Sequence, residues 1–237
     1  MVTHPFIHIS CILAAIVGFD VTMTPPAPPP SPEDSVNQTT RLEKTLLSSR
    51  LICKGIAWSF AVAEASVLLA SQFPKAQISS FVLSMLVTRS SPADIRTTKW
   101  FLLGTVLAAS GGYIRVLCYR TLGPRFTFER TIARDHKLGT TGPYSWVRHP
   151  GYASAIMVFS GTIVWNAAPG SYARECGPLD TVLGRACAAF FLPVMTSVMI
   201  VMLGRTWKED KTLEKIFGQE WRDWADKVPY RLVPWII

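Results

Sequence analysis

Two short stretches of this chain carry the residue types that could do chemistry together: Arg148-His-Pro-Gly-Tyr152 and Arg205-Thr-Trp-Lys-Glu-Asp210, each abutting an apolar run. In the first, Pro150 suits the opening turn of a helix, whose leading N–H groups form an anion site with the charge of Arg148 beside it. His149 is either a local structural contact at that helix start or part of a site. In the second, Arg205 and Glu209 stand four residues apart on one helical face. Two readings follow. They form an intrahelical ion pair worth a few tenths of a kcal/mol, or they have separate duties, Arg205 holding a carboxylate and Glu209 receiving an ammonium or ribose hydroxyls. Their place directly after an apolar run favours separate duties, and Asp210 could share part of the role of Glu209.

The elements that must position these groups are apolar. Charges are sparse in residues 6–21, 46–73, 78–88, 100–119, 152–167 and 183–203 and gather in the segments between them. A helix of about 20 apolar residues spans a bilayer core, and 78–88 is too short to do so alone. The 6–21 run is either a first membrane helix or a cleaved signal peptide, and its lack of a positive leader favours the membrane helix. Pro25 to Pro32 is an extended linker, since repeated prolines remove N–H donors and fix φ. Lys54 and Glu64 interrupt the second run, and an acid at membrane depth faces a partner or a cavity. Gly104 and the Gly111-Gly112 pair predict close helix contact. Residues 120–150 are broken by Gly123-Pro124, Gly139 and Gly142-Pro143. Pro193 is a candidate kink. From Thr206 to Asp226 the apolar positions Leu213, Ile216, Phe217, Trp221 and Trp224 recur at helical spacing, which predicts an amphipathic helix.

The 237 residues fit one compact bundle. A net charge of +8 does not point to nucleic acid, because its basic residues are interleaved with acids and flank apolar runs. Instead, the segment from Arg115 to Arg148, with Arg120, Arg125, Arg130, Arg134 and Lys137, and the tail from Arg205 to Arg231 are rich in Lys and Arg and read as cytosolic. The five cysteines show no metal-ligand or disulfide spacing. Four lie in or beside apolar runs, and Cys176, in a polar loop, is the candidate for oxidation. The expected fold is all-α, a polytopic transmembrane bundle of about five or six spans with a cytosolic loop and a C-terminal amphipathic helix. It divides into 1–45, 46–118 and a catalytic region, 119–237.

His136-Lys-Leu-Gly-Thr-Thr-Gly-Pro-Tyr144, Arg148-His-Pro-Gly-Tyr152, Arg205-x-x-x-Glu-Asp-x-x-Leu213, Phe217-Gly-Gln-Glu-Trp221 and Val228-Pro-Tyr-Arg-Leu232 together resemble the isoprenylcysteine carboxyl methyltransferase family, over roughly Tyr119 to Pro234. Members use S-adenosylmethionine to methylate the C-terminal carboxylate of prenylated cysteine at the endoplasmic reticulum membrane. The resemblance implies a cofactor pocket of His136, Lys137, Leu138, Gly139, Tyr144, His149, Pro150, Gly151, Tyr152 and Glu209, with Arg205 on the substrate carboxylate and no metal. It departs at Gly139, where eukaryotic members tend to carry Val, at Glu129, where they tend to carry Gln, and at Asp210, the second acid of a Glu-Glu pair.

The chemistry agrees with that implication. A carboxylate of pKa about 3.5 is ionised at neutral pH, so methylation needs no general base, only in-line approach. A phospholipid N-methyltransferase would need a base for its amine, and Arg205 among the acids suits a carboxylate better. A sterol reductase-like enzyme would require a longer chain, and a membrane scaffold would need none of these groups.

Overall fold

The computed structural model describes residues 4–26, 40–89, 94–123, 126, 128 and 138–236. Within them the chain forms nine α-helices and no strand: α1 (Pro5–Met23), α2 (Arg41–Ser48), α3 (Arg50–Gln72), α4 (Gln77–Leu86), α5 (Lys99–Leu122), α6 (Pro150–Ala167), α7 (Tyr172–Glu175), α8 (Val182–Phe217) and α9 (Gln219–Lys227). Four stretches are long and apolar enough to cross a membrane: α1, the continuous α2–α3 stretch, α5 and α8. The expected run at 152–167 is helical as α6, but α6 is not among those four, and α4 is short. Length and apolarity therefore account for four spans, fewer than the five or six expected. Much of the linker from Pro25 to Pro32, together with Glu129, His136 and Lys137, lies outside the described residues.

The core is built by close backbone approach. α5 packs most extensively on α6 and next on α1. At both contacts glycine is what permits the spacing. A Cβ on Gly111 would stand 2.7 Å from the Ser154 carbonyl, and one on Gly112 would strike the Gly18 backbone of α1. Gly104 meets the backbone of Gly161 and Trp165 in the same way. These are the positions the sequence marks for close contact. Ile12, Phe19, Phe101, Phe159, Trp165 and Met195 fill the space between.

The last element differs from expectation. The apolar run and the amphipathic segment after it form one uninterrupted 36-residue helix, α8, which passes through Pro193. At 1.5 Å per residue it is about 54 Å long, against a hydrocarbon core of about 30 Å. Its C-terminal part therefore projects past the apolar layer, and that part carries Arg205, Glu209 and Asp210. Gly218, at φ 54°, ends it and starts α9. Only 11% of the apolar part of α8 is buried within the protein, against 44% for α5.

Glu64 is 1% exposed and joins four elements. Its Oε1 accepts from His8 Nε2 of α1 at 3.0 Å and from the Tyr172 N–H of α7 at 3.2 Å. Its Oε2 accepts from Trp165 Nε1 of α6 at 3.1 Å. His8 Nδ1 bonds Thr97 Oγ1 at 2.9 Å, just ahead of α5, and the His8 ring stacks on Phe101. The acid at membrane depth thus has partners on every side.

Cys176 is a correction. Although its neighbours in sequence are polar, its side chain is fully buried, and burial, with Glu64 and Glu175 adding to it, pushes the thiol up to about 12. It is expected to resist alkylation at pH 8 in the folded protein, since the thiolate is the nucleophile. Mass-spectrometric detection of rapid labelling at Cys176 would contradict this.

Candidate active site

One end of the bundle holds a cavity of about 240 Å³. Leu138, Gly139, Tyr144, His149, Gly151, Tyr152, Arg205 and Glu209 all line it, so residues from the loop, from α6 and from α8 are brought to one place. Pro150 is buried at the first position of α6 and shapes the turn instead of lining the cavity. The placement of His136 and Lys137 is not described.

The histidine does not cap α6. Its side chain makes no capping bond, and the N–H groups of Tyr152 and Ala153 turn back to its own carbonyl. The ring instead places Nε2 2.9 Å from Asp210 Oδ1. A carboxylate only accepts, so Nε2 carries the proton. Asp210 Oδ2 accepts from Arg231 Nε at 3.0 Å and stands 3.6 Å from Arg148 Nη2. The tail carrying Arg231 is itself pinned to this loop, since the N–H groups of Arg148 and His149 donate to the carbonyls of Tyr230 and Arg231. Burial lowers the pKa of Arg148, with Arg231 acting in the same direction and Asp210 opposing. Asp210 is therefore a clasp between loop, helix and tail, with its oxygens turned to His149, Arg231 and Arg148 and not to the cavity that Glu209 lines.

Glu209 faces the cavity from the same turn of α8. Its Oε2 accepts from the Tyr152 hydroxyl at 2.7 Å. It makes no ion pair with Arg205 among the described residues, which removes the intrahelical pairing. Tyr144 stands nearby in a 3₁₀ turn (Gly142–Ser145). Burial raises its phenol well above the usual range, with Cys118 and Glu209 adding to the effect and Arg115 opposing it. It remains a neutral hydroxyl and an aromatic face.

Arg205, 8% exposed, points into the cavity from α8. Its Nη1 donates to the Phe128 carbonyl at 3.2 Å. Its Nε stands 3.1 Å from Glu43 Oε1 of α2, in ion-pair contact but out of hydrogen-bonding line. Its Nη2 is buried and finds no acceptor among the described residues. Arg148 Nε and Trp224 Nε1 are likewise buried without an acceptor, and both residues line the cavity. Counting Arg205 Nε, four buried N–H donors on cavity-lining residues lack a hydrogen-bond acceptor among the described residues, which is costly unless something else accepts from them.

Glu43, Arg115, Arg231 and Trp224 were not among the expected site residues. Arg115 of α5 donates to the Gly151 carbonyl at the start of α6 and lies over Tyr119, Phe126 and Phe128, 4.6 Å from the Phe126 ring centre. For Glu43 a signal existed: Thr40-x-x-Glu43 is a capping box, and both of its bonds are made. Nothing local marks Arg231 as a partner of residues about 80 positions earlier.

From Met23, Phe159, Met195, Val198 and Met202 the cavity continues as an apolar slot between α1, α6 and α8. A buried guanidinium edge thus shares one cavity with apolar side chains, with the acid Glu209 one turn further along α8 and the phenols of Tyr144 and Tyr152 also lining it.

Comparison with known proteins places this site in context. The profile of the isoprenylcysteine carboxyl methyltransferase (ICMT) family matches residues 102–169, the stretch from α5 through α6. A probable protein-S-isoprenylcysteine O-methyltransferase of rice (Oryza sativa subsp. japonica) is 35% identical over 133 residues, 54% of this chain and 60% of the relative. The protein-S-isoprenylcysteine O-methyltransferase of Xenopus laevis is 27% identical over 163 residues, 67% of this chain and 49% of the relative. The B form of Arabidopsis thaliana is 28% identical over 128 residues, 53% of this chain and 55% of the relative. In each case the match spans less than two thirds of the relative's own length.

Proposed function

We propose that this chain, whose residues 102–169 match the isoprenylcysteine carboxyl methyltransferase family, belongs to that family and methylates the C-terminal carboxylate of a prenylated cysteine. The methyl donor is S-adenosylmethionine, and the acceptor is a prenylated protein or peptide. The observation that carries this reading is the half-used edge of Arg205, opening at the head of the apolar slot. A carboxylate attached to a long hydrocarbon is the ligand that both features accept.

The donor set also fits the cofactor. Glu209 supplies an acid for its ammonium or ribose hydroxyls, and the Tyr152 hydroxyl holds that carboxylate in position. Tyr144 and Tyr152 offer π-faces, which attract a cation. Arg148 Nε and Trp224 Nε1 are buried donors in want of acceptors. Leu138, Gly139, His149 and Gly151 form the wall, with Pro150 setting the turn behind them, and His136 and Lys137 are carried from the family pattern alone. The cofactor, when bound, supplies an electrophilic methyl on sulfur.

The remaining work is positional. Arg205 orients the acceptor carboxylate with its forked donors, and no proton has to be removed from it. Holding two reactants in line contributes about 7–11 kcal/mol. The apolar slot anchors the tail, so binding far from the reacting atoms fixes the orientation at them. α6, packed against α5, serves as a fifth membrane segment in this reading. The catalytic end faces the cytosol because Arg205, Lys208, Lys211 and Arg222 gather there, and the compartment is the endoplasmic reticulum membrane.

The direct test is transfer of label from S-adenosylmethionine in membranes containing the chain, offering N-acetyl-S-farnesylcysteine and phosphatidylethanolamine in parallel. Base-labile label on the prenylcysteine is expected. Label on the lipid would instead make the protein a phospholipid methyltransferase, and label on neither would leave the reductase and scaffold readings. Glu209→Ala is expected to weaken cofactor binding by roughly tenfold, the value of a hydrogen bond to a charged group. Calorimetry showing a wild-type dissociation constant would remove Glu209 from the pocket.

A further inference from the structure

Glu43 of α2 stands where a ligand of Arg205 belongs. Its side chain is buried, its Oε1 lies 3.1 Å from Arg205 Nε, and the pair lines the cavity at the head of the apolar slot. Yet the pairing is poor for two groups so well matched. A guanidinium offers Nε and Nη2 as a parallel fork that a free carboxylate takes with both oxygens. Glu43 reaches Nε alone and out of line, leaving Nη2 buried and unpaired.

The reason is on the other side of the carboxylate. Glu43 Oε2 accepts from the Thr40 backbone N–H at 2.7 Å, while the Thr40 hydroxyl accepts from the Glu43 N–H at 3.3 Å. This capping box starts α2, and it holds the carboxylate back from turning its second oxygen to Arg205. The contact is therefore strong enough to neutralise a buried cation and too strained in geometry to satisfy it.

α2 runs on through Ser49 into α3, and beyond that junction it is lightly held. It is an eight-residue helix whose Leu46 and Leu47 line the cavity while Leu42 is exposed. It packs on α8 and, more weakly, on α3.

We propose that Glu43 is a built-in competitor for the acceptor carboxylate, and that α2 is a lid which yields when a free carboxylate takes both prongs of Arg205. The inference rests on the carboxyl-methylation reading and adds to it a residue that sets acceptor affinity. With Glu43 seated, Arg205 is never a bare buried charge. When an acceptor enters, the exchange of one oxygen contact for two favours it. The methyl ester product has lost the charge, so Glu43 returns and helps expel it. A seat that is occupied most of the time lowers apparent acceptor affinity by the fraction open.

The test uses the whole chain in detergent or bilayer. Glu43→Gln keeps an acceptor for the Thr40 N–H, as the capping box permits Gln, and removes the competing charge. Binding of N-acetyl-S-farnesylcysteine and of its methyl ester is measured by tryptophan fluorescence, alongside KM and kcat. The free acid is expected to bind on the order of tenfold more tightly to Glu43→Gln, with little change for the ester, and the acceptor KM is expected to fall. Thr40→Ala, which loosens α2 and leaves the charge, is expected to move free-acid affinity in the same direction by less. If Glu43→Gln leaves free-acid binding unchanged or weakens it, Glu43 steadies Arg205 instead, and the competitor role is refuted. The binding measurement needs no turnover. A wild-type protein that fails to methylate prenylcysteine while Glu43→Gln still tightens acid binding would refute the function and keep the exchange.

Discussion

Arg205→Ala abolishes methylation of the prenylcysteine acceptor while leaving cofactor affinity near its wild-type value: this is the expected result if the residue orients the carboxylate. Truncating one member of a buried charge pair costs about 2–5 kcal/mol, so kcat/KM should fall on the order of 10²- to 10³-fold. The same change strands the Glu43 carboxylate, whose side chain is buried with Arg205 as its ion-pair partner. Lost folding must therefore be separated from lost orientation. Arg205→Ala combined with Glu43→Gln removes the stranded charge, and its folding should recover while turnover does not. Arg205→Lys restores the charge without the fork and should recover only part of the rate. Near-wild-type turnover in a folded Arg205→Ala protein would sink the orienting role, whatever its acceptor.

The second large effect lies at the opposite end of the bundle. Glu64→Ala removes the acceptor for His8 Nε2, Trp165 Nε1 and the Tyr172 N–H at once. Breaking a buried pair costs about 3–5 kcal/mol because the partners are left unsatisfied. Thermal unfolding in detergent should show the loss, with Glu64→Gln falling between, since its amide can accept on one side but faces the remaining donors with another donor. Trp165 follows Gly151 by fourteen residues of α6, roughly 21 Å along the axis. The folded fraction of Glu64→Ala should therefore bind cofactor normally. A wild-type unfolding midpoint would show that the cluster does not hold the helices together.

The unequal legibility of these features has physical causes. Apolar runs and glycine pairs are local, so α1, α5 and the contacts of Gly104, Gly111 and Gly112 could be read directly. Leu138, Gly139, Tyr144, His149, Gly151, Tyr152, Arg205 and Glu209 could be anticipated in one place because ordered motifs mark them, whereas Glu43, Arg115 and Trp224 of the same cavity lie outside those motifs. What could not be read was who pairs with whom. Glu209 and Asp210 are neighbours in sequence, but a helix turns about 100° per residue. One consequently meets Tyr152 and the other meets His149 and Arg231. The intrahelical partner that spacing offers Arg205 is replaced by Glu43, a residue from a short helix after the proline-rich stretch. The length of α8 is hidden for a related reason. Polarity changes at Arg205 while helicity does not, and a change in polarity reads as a boundary.

The unbroken rod of α8 has a consequence for where this protein works. Its apolar portion, from Val182 to Gly204, is roughly 34 Å long, slightly more than a typical hydrocarbon layer, and little of it is gripped by neighbouring helices. A membrane-embedded rod answers hydrophobic mismatch by tilting. Because Arg205 and Glu209 ride on its stiff extension, any tilt acts as a lever on them, shifting one wall of the cavity relative to α6. The thickness of the host bilayer is thereby coupled to the geometry of the site, and moving the protein between thin and thick membranes retunes it without altering a single residue.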